Sequence, residues 1–239
     1  MKIALVGYGK MGQLIEKLAL ERGNTISKII DVSNIEEIKD ITPDNTDVAI
    51  EFTSPESAFN NIMAVLKQKV PIVSGSTGWL EKKEEVEDYC KQNGTTFFYA
   101  SNFSLGVNIF FKVNKFLAEL MSGKGYNTSV EDIHHVHKLD APSGTGITIA
   151  EGIIEKTNGL NGWVEGDSED PSKLGIISKR EGEVPGTHSV LYKSRIDDIT
   201  ITHEAHTREG FAMGAVMVAE WLKGKKGVLT MDDYLDFSL

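Results

Sequence analysis

The first dozen residues constrain this chain most. "KIALVG" (2–7) is a short apolar run ending in glycine, and "VGYGKMG" carries it into Gly7, Gly9 and Gly12, a G-x-G-x-x-G spacing. An amphipathic stretch, "MGQLIEKLALERG" (11–23), follows at once, with Leu14, Ile15, Leu18 and Ala19 on one helical face and a stop at Gly23. Strand, glycine turn and helix form the unit this spacing serves. The first glycine permits a tight turn, the second lets a pyrophosphate approach the backbone, and the third lets helix and strand pack closely. The helix start then offers free N–H groups and partial positive charge to phosphate. A second strand, "TISKIID" (25–31), ends in Asp31, placed to hydrogen-bond the ribose 2′-hydroxyl of NAD. "VSN" (32–34) supplies no cation for a 2′-phosphate, and Asp31 would repel one, so NADH is expected over NADPH. Lys10, inside the loop, would offset part of that repulsion.

The alternation continues. "DVAIEFT" (47–53) and "PIVSGST" (71–77) read as strands around the helical "PESAFNNIMAVLKQK" (55–69), where Pro55 suits a first turn. A charged surface helix (80–94) and a fifth strand, "TTFFYAS" (95–101), follow. Strands alternating with helices imply a doubly wound parallel sheet of Rossmann type, an α/β fold. After one long amphipathic helix (104–123) the pattern changes. "TSVEDIHHV", "LGIISKRE", "HSVLYKS" and "DITITHEAHT" are strand-like, one helix opens near "SGTGITIAEGIIEKT", and "NGLNGWVEGDSEDPSK" reads as a polar loop. Strands following one another imply a mixed or antiparallel sheet in a second, α+β domain. The last long helix (209–225) and the tail return to the first domain.

A formal charge of −10 argues against a nucleic-acid or anionic-membrane binder. No apolar run approaches the roughly 20 residues of a membrane span, no targeting segment is recognisable, and the single cysteine, Cys90, fits a reducing compartment. A cytoplasmic location is expected.

Against that acidic background stands a basic island, "HHVHKLDAPSGTG" (134–146), with three of the six histidines and Lys138. A metal site is disfavoured: His134, His135 and His137 lie on a strand-like segment whose neighbours alternate faces. "HEAH" (203–206) is one residue short of a zinc-helix motif, so no metal is expected. An anion and proton-transfer site fits better. Ser143 precedes a helix whose first N–H groups, those of Gly144 and Thr145, suit a carboxylate. The histidine pair and Lys138 add charge for a second carboxylate and groups that move a proton near neutral pH. The plainer alternative is a set of solvated loop histidines beside an ordinary helix cap.

"EDIHHVHKLDAPSGTG" closely resembles the signature of the dihydrodipicolinate reductases, E-x-H-H-x-x-K-x-D-A-P-S-G-T-A. The resemblance extends over "VGYGKMG", "EFTSPES" (51–57), "SGSTGW" (74–79), "ASNFSLGVN" (100–108), "EVPGTHSV" (183–190) and "ITHEAHTREGFAMGAV" (201–216). It implies reduction of 4-hydroxy-tetrahydrodipicolinate to tetrahydrodipicolinate by hydride from NAD(P)H, on the route to diaminopimelate and lysine. It also implies that His134 is the proton donor or acceptor and Lys138 the proton donor, with His135, Gly144 and Thr145 on the substrate. Cofactor contacts are implied at Gly7, Tyr8, Gly9, Lys10, Met11 and Gly12, and at Asp31 and Thr53. Further contacts would come from Gly75, Ser76 and Thr77, and from Ala100, Ser101, Asn102 and Phe103. The resemblance places the dinucleotide-binding domain at 1–103 and 208–239, and the substrate-binding and oligomerisation domain at 104–207. It implies a homotetramer. Two departures fall inside the signature: Asp132 replaces its glutamate, altering support behind the site, and Gly146 replaces its final alanine, loosening the helix start. The glycine loop and the segment between Asp31 and Asp47 are also shorter than in the common form. His137 is assigned a supporting role, and His203 and His206 none. Rival readings are another NAD-dependent dehydrogenase of similar layout, acting on an amino-dicarboxylate, and an NAD sensor without chemistry.

Overall fold

The computed structural model describes residues 1–207 and 209–236; positions 208 and 237–239, at the edges of the expected C-terminal segment, lie outside the described residues. In chain order the elements are β1 (Lys2–Val6), α1 (Lys10–Glu21), β2 (Thr25–Ile30), β3 (Val48–Glu51), α2 (Pro55–Lys67), β4 (Ile72–Ser74), α3 (Lys83–Asn93) and β5 (Thr96–Tyr99). Then come α4 (Leu105–Met121), β6 (Asn127–His134), α5 (Gly144–Lys156), β7 (Gly162–Glu165), β8 (Lys173–Arg180), β9 (Gly186–Lys193) and β10 (Asp198–Ala205). The chain ends with α6 (Glu209–Leu222), β11 (Gly227–Leu229) and α7 (Met231–Leu235). Two compact units result, one of Met1–Leu105 with Glu209–Leu239, the other of Gly106–Arg208.

The first unit is a six-stranded parallel sheet in the order β11-β5-β4-β3-β1-β2. Its central strands are largely apolar because both faces are covered, as parallel sheets require. The period of two divides them cleanly. Ile3, Leu5, Val48, Ile50, Val73 and Phe98 pack with α1 and α6, while Ala4, Val6, Ala49, Ile72 and Phe97 pack with α2 and α3. Helix α6 belongs to this unit. The tail adds β11, a strand of three residues that lengthens the sheet beside β5.

The second unit is a mixed five-stranded sheet, β10-β9-β6-β8-β7, with β9 antiparallel to β6 and β10, and β8 parallel to β6 and β7. Its apolar face, Val130, Leu174, Ile176, Val190 and Tyr192, packs on Phe110 and Ala118 of α4 and on Ile149, Ala150 and Ile153 of α5. The segment read as a polar loop contains β7, which pairs with β8 over Gly162–Glu165. Four residues flanked by glycines and acids carry too little apolar pattern to announce a strand; pairing with β8 makes it one.

Candidate active site

The carboxyl ends of β1, β3, β4 and β5 converge on one edge of the parallel sheet, where ligands of such folds bind. Each glycine of the first loop has its own reason there. Gly7 has φ +99°, and a Cβ would stand 2.0 Å from the Phe52 carbonyl oxygen. At Gly12 a Cβ would stand 2.2 Å from the Gly7 carbonyl oxygen. Gly9, by contrast, has nothing within 4 Å of a built Cβ. Two glycines therefore close the turn, and the third leaves open space over the start of α1, which is where a pyrophosphate needs bare backbone.

Beside it lies a cavity of about 470 Å³ lined by Gly7, Tyr8, Gly9, Asp31 and Thr53 from the expected cofactor set. Val32, Ile35 and Phe52 also line it, giving an apolar flank not foreseen from the sequence, and no lysine or arginine is among the lining residues. Asp31 is exposed and already accepts a hydrogen bond from Val32 N–H at 2.6 Å, which orients the carboxylate. Lys10, Met11 and Gly12 form the first turn of α1. Gly75–Thr77 and Ala100–Phe103 follow β4 and β5 at the same sheet edge. Of these, Ser76, Ala100 and Phe103 are buried, Phe103 packing on Phe52 with ring centroids 5.7 Å apart.

Glu51, the last residue of β3, is fully buried and organises these loops. Oε2 accepts from Ser74 Oγ at 2.6 Å, and Oε1 accepts from Ser76 Oγ at 2.7 Å, from Thr53 N–H at 3.0 Å and from the Thr53 hydroxyl. One carboxylate thus ties the ends of β3 and β4 together. Sequence reasoning passed over it; a lone acid inside "VAIEFT" was the available signal.

In the second unit the apolar face of the sheet turns polar at one end. His134 closes β6, and its Nε2 is 3.0 Å from Asp132 Oδ1 on the same face. Asp132 is fully buried and also accepts from Ser143, through the hydroxyl at 2.6 Å and the backbone N–H at 2.7 Å. Burial alone would raise its pKa, but hydrogen bonds from His134 and Ser143, with the His188 ring nitrogen 3.1 Å away, outweigh it and hold the carboxyl far below the usual range. An ionised acceptor beside Nε2 requires the hydrogen of His134 on that nitrogen, leaving Nδ1 for other partners. Ser143 Oγ in turn caps α5 by accepting from Gly146 N–H at 3.0 Å. Its neighbour Gly144 stands in open space, with nothing within 4 Å of a built Cβ. Asp132 and Ser143 so join the His134 ring to the start of α5.

The remainder of the island lies in a turn beyond β6. Lys138 Nζ is 2.8 Å from Asp140 Oδ1. Arg180, the last residue of β8 and absent from the sequence reading, fixes this turn by donating to the carbonyls of Lys138 (3.4 Å) and Asp140 (2.5 Å), and it also donates to its own neighbour's carbonyl, that of Lys179 (2.7 Å). His135 stacks loosely toward His137, with centroids 6.2 Å apart, and His137 is exposed near Glu183. His206 is exposed; His203 packs against Phe110 and lies 6.4 Å from the ring of His188. The three island histidines do not converge. Among the described residues, the group close enough to surround a metal ion is instead Asp132, His134 and His188, whose ligand atoms lie within 4.8 Å of one another.

Comparison with known proteins decides the family. Residues 1–103 match the family description "Dihydrodipicolinate reductase, N-terminus", and residues 106–235 match "Dihydrodipicolinate reductase, C-terminus". The chain belongs to the dihydrodipicolinate reductase family. It is 48% identical over 236 residues to the 4-hydroxy-tetrahydrodipicolinate reductase of Christiangramia forsetii, covering 98% of each chain. The corresponding protein of Archaeoglobus fulgidus is 31% identical, with 99% of this chain and 100% of that one covered. In fold, the dipicolinate-bound dihydrodipicolinate reductase of Paenisporosarcina sp. TG-14 superposes with a TM-score of 0.77 at 20% identity, covering 98% and 99% of the two chains.

Against the reductase signature, the two departures turn out to touch. A Cβ on Gly146 would stand 3.1 Å from Asp132 Cγ and 3.3 Å from its Oδ1. The missing methyl makes room for the short carboxylate beside the helix start. Alanine at 146 would add up to about 1 kcal/mol of helix preference while crowding Asp132. In urea unfolding, Asp132→Glu, Gly146→Ala and the double variant should therefore show a coupling of more than about 0.5 kcal/mol. Additive effects would make the two departures independent.

Proposed function

We propose that this protein reduces 4-hydroxy-tetrahydrodipicolinate to tetrahydrodipicolinate with hydride from NADH, accepting NADPH less well, in lysine and diaminopimelate biosynthesis. The observation that carries the reading is the Asp132–Ser143 link, which couples a tautomer-fixed histidine to a helix start open for a carboxylate. Such an array suits a cyclic dicarboxylate. The dipicolinate-bound reductase of Paenisporosarcina sp. TG-14, which holds a flat dicarboxylate of the same kind, supports that substrate class.

The residues divide the work. The start of α1 and the open Gly9 hold the pyrophosphate, and Asp31 takes the ribose hydroxyls. The bound nicotinamide supplies the hydride. Gly144 and Thr145 hold one substrate carboxylate through backbone N–H groups; His135 and the Lys138 ammonium face the other. Asp132 orients the His134 ring, and His134 and Lys138 supply the proton that balances hydride addition, while the 4-hydroxyl leaves with a ring proton as water. The NADH preference rests on Asp31 and on a cavity lining without lysine or arginine. Asp31→Ala should narrow the ratio of NADH to NADPH kcat/KM by about tenfold, the worth of one hydrogen bond to a charged group and one lifted repulsion. An unchanged ratio would mean that the ribose is read elsewhere.

We also take the protein to be a cytoplasmic homotetramer. Among the described residues no helix is long and apolar enough to cross a membrane. Alternate residues of the second sheet, such as Ser189, Leu191 and Thr202, point away from the core formed with α4 and α5, leaving a sheet face available to other subunits. Light scattering tests the assembly.

The reaction is tested by following NADH absorbance while the upstream synthase generates substrate from pyruvate and aspartate semialdehyde. Oxidation that requires both the synthase and this protein is the expected result. No oxidation by folded, NADH-binding protein overturns the proposal.

A further inference from the structure

His188, in β9, has no part in the chemistry described so far, yet it stands at the centre of the site. It pairs in register with Asp132 of β6 and with His203 of β10, so the three form one row across three strands. Only 4% of it is exposed. Its Nε2 lies 3.1 Å from Asp132 Oδ1, the oxygen that already accepts from His134 Nε2 and Ser143 Oγ. That approach is too oblique for a hydrogen bond, and among the described residues both ring nitrogens of His188 are buried without a hydrogen-bond partner. Burying a polar ring in this way is unfavourable, and an apolar side chain of similar size would avoid the penalty. Stability of the fold therefore does not account for the imidazole.

Its position does. The second torsion of a histidine is broad, so a rotamer alone does not fix where the ring nitrogens point. His134 is held instead by walls. His188 stands edge-on to it, with centroids 5.2 Å apart and planes at 69°. Gly186, two residues earlier on β9, closes in with bare backbone: a Cβ there would be 3.0 Å from His134 Cε1 and 3.4 Å from His188 Cε1. We propose that His188 is a positioning residue for His134. It holds the His134 ring and Asp132 Oδ1 in the single arrangement that commits Nε2 to Asp132 and leaves Nδ1 for the substrate. His188 touches neither substrate nor cofactor itself. This inference rests on the reading of His134 as the proton-transfer group.

Two variants test it, His188→Leu, which keeps the volume, and His188→Gln, which restores a side-chain donor facing Asp132. Turnover is counted per NADH-binding site, so that misfolded protein drops out. In H188L kcat should fall about 10–100-fold, the usual range for a partner that orients a working side chain from behind. KM and the NADH Kd should stay within twofold, and H188Q should regain part of the loss. Nitrogen-15 spectra give a readout independent of turnover. His134 should be a pure Nε2–H tautomer in the wild type and a mixture in either variant. Unchanged turnover per site, or unchanged His134 resonances, overturns the proposal. Should H188L fail to fold, H188Q carries both measurements. Should the wild type itself not turn over, the functional reading falls, and the His134 resonances alone decide the positioning role.

Discussion

His134→Ala should leave NADH binding within twofold of the wild type and lower kcat about 10²–10⁴-fold, the range for loss of a positioned proton-transfer group. The separation follows from the chain's division: the cavity proposed for the cofactor is lined by residues between 6 and 61, and His134 sits on a strand of the other compact unit. Fluorescence titration of NADH beside steady-state turnover measures both. KM should move little, because the helix start at Gly144 and the Lys138 turn remain. Arg180 keeps that turn in place through two backbone carbonyls, those of Lys138 and Asp140, neither of which involves His134. A parallel loss of NADH affinity would mean that the imidazole supports the cofactor and would remove the proposed division of labour.

Alanine at each of the three loop glycines should have sharply different effects. At Gly7 the side chain meets a left-handed backbone and a carbonyl 2.0 Å away, and at Gly12 a carbonyl 2.2 Å away. Overpacking of this kind costs about 1–3 kcal/mol and a left-handed residue about 1–2 kcal/mol more, so Gly7→Ala should unfold most readily. At Gly9 the free protein has room for the methyl. Gly9→Ala should therefore melt within a degree or two of the wild type, yet bind NADH at least about tenfold more weakly, because the methyl stands where phosphate must approach the backbone. Thermal melts with and without NADH separate the cases. A Gly9 variant that binds normally would show that the open space over α1 is not the phosphate site.

Much of this was legible in the sequence because the signals were local. The glycine spacing, the strand-helix alternation of the first hundred residues and the run from His134 to Thr145 each lie within one or two elements. The residues that went unread depend on pairing between distant segments. His188 reaches Asp132 only through the register of β9 against β6, and Arg180 reaches the Lys138 turn only because β8 lies beside β6. Strands β7 and β11, of four and three residues, hold together through their neighbours rather than through their own pattern. Glu51 was hidden differently. A charged residue in an apolar strand looks like a surface position until the hydroxyls of Thr53, Ser74 and Ser76 are seen to surround it. Gly146 was read correctly as a departure and incompletely as a cost, since its effect is felt at Asp132, in another element.

Cys90 is the chain's only cysteine, fully buried on α3, with its thiol donating to the Thr95 carbonyl at 3.0 Å. That makes it a built-in clock for one half of the molecule. A thiol reagent can reach it only when the parallel-sheet unit opens, and the other unit carries no thiol to confuse the signal. Labelling in the regime where opening is a rapid equilibrium then reports the opening free energy of the dinucleotide-binding half alone. Saturation with NADH should slow the modification by the factor 1 + [L]/Kd. Pyridine-2,6-dicarboxylate without cofactor should leave the rate unchanged, so a single unmodified chain yields the affinity of one half and a silent control from the other.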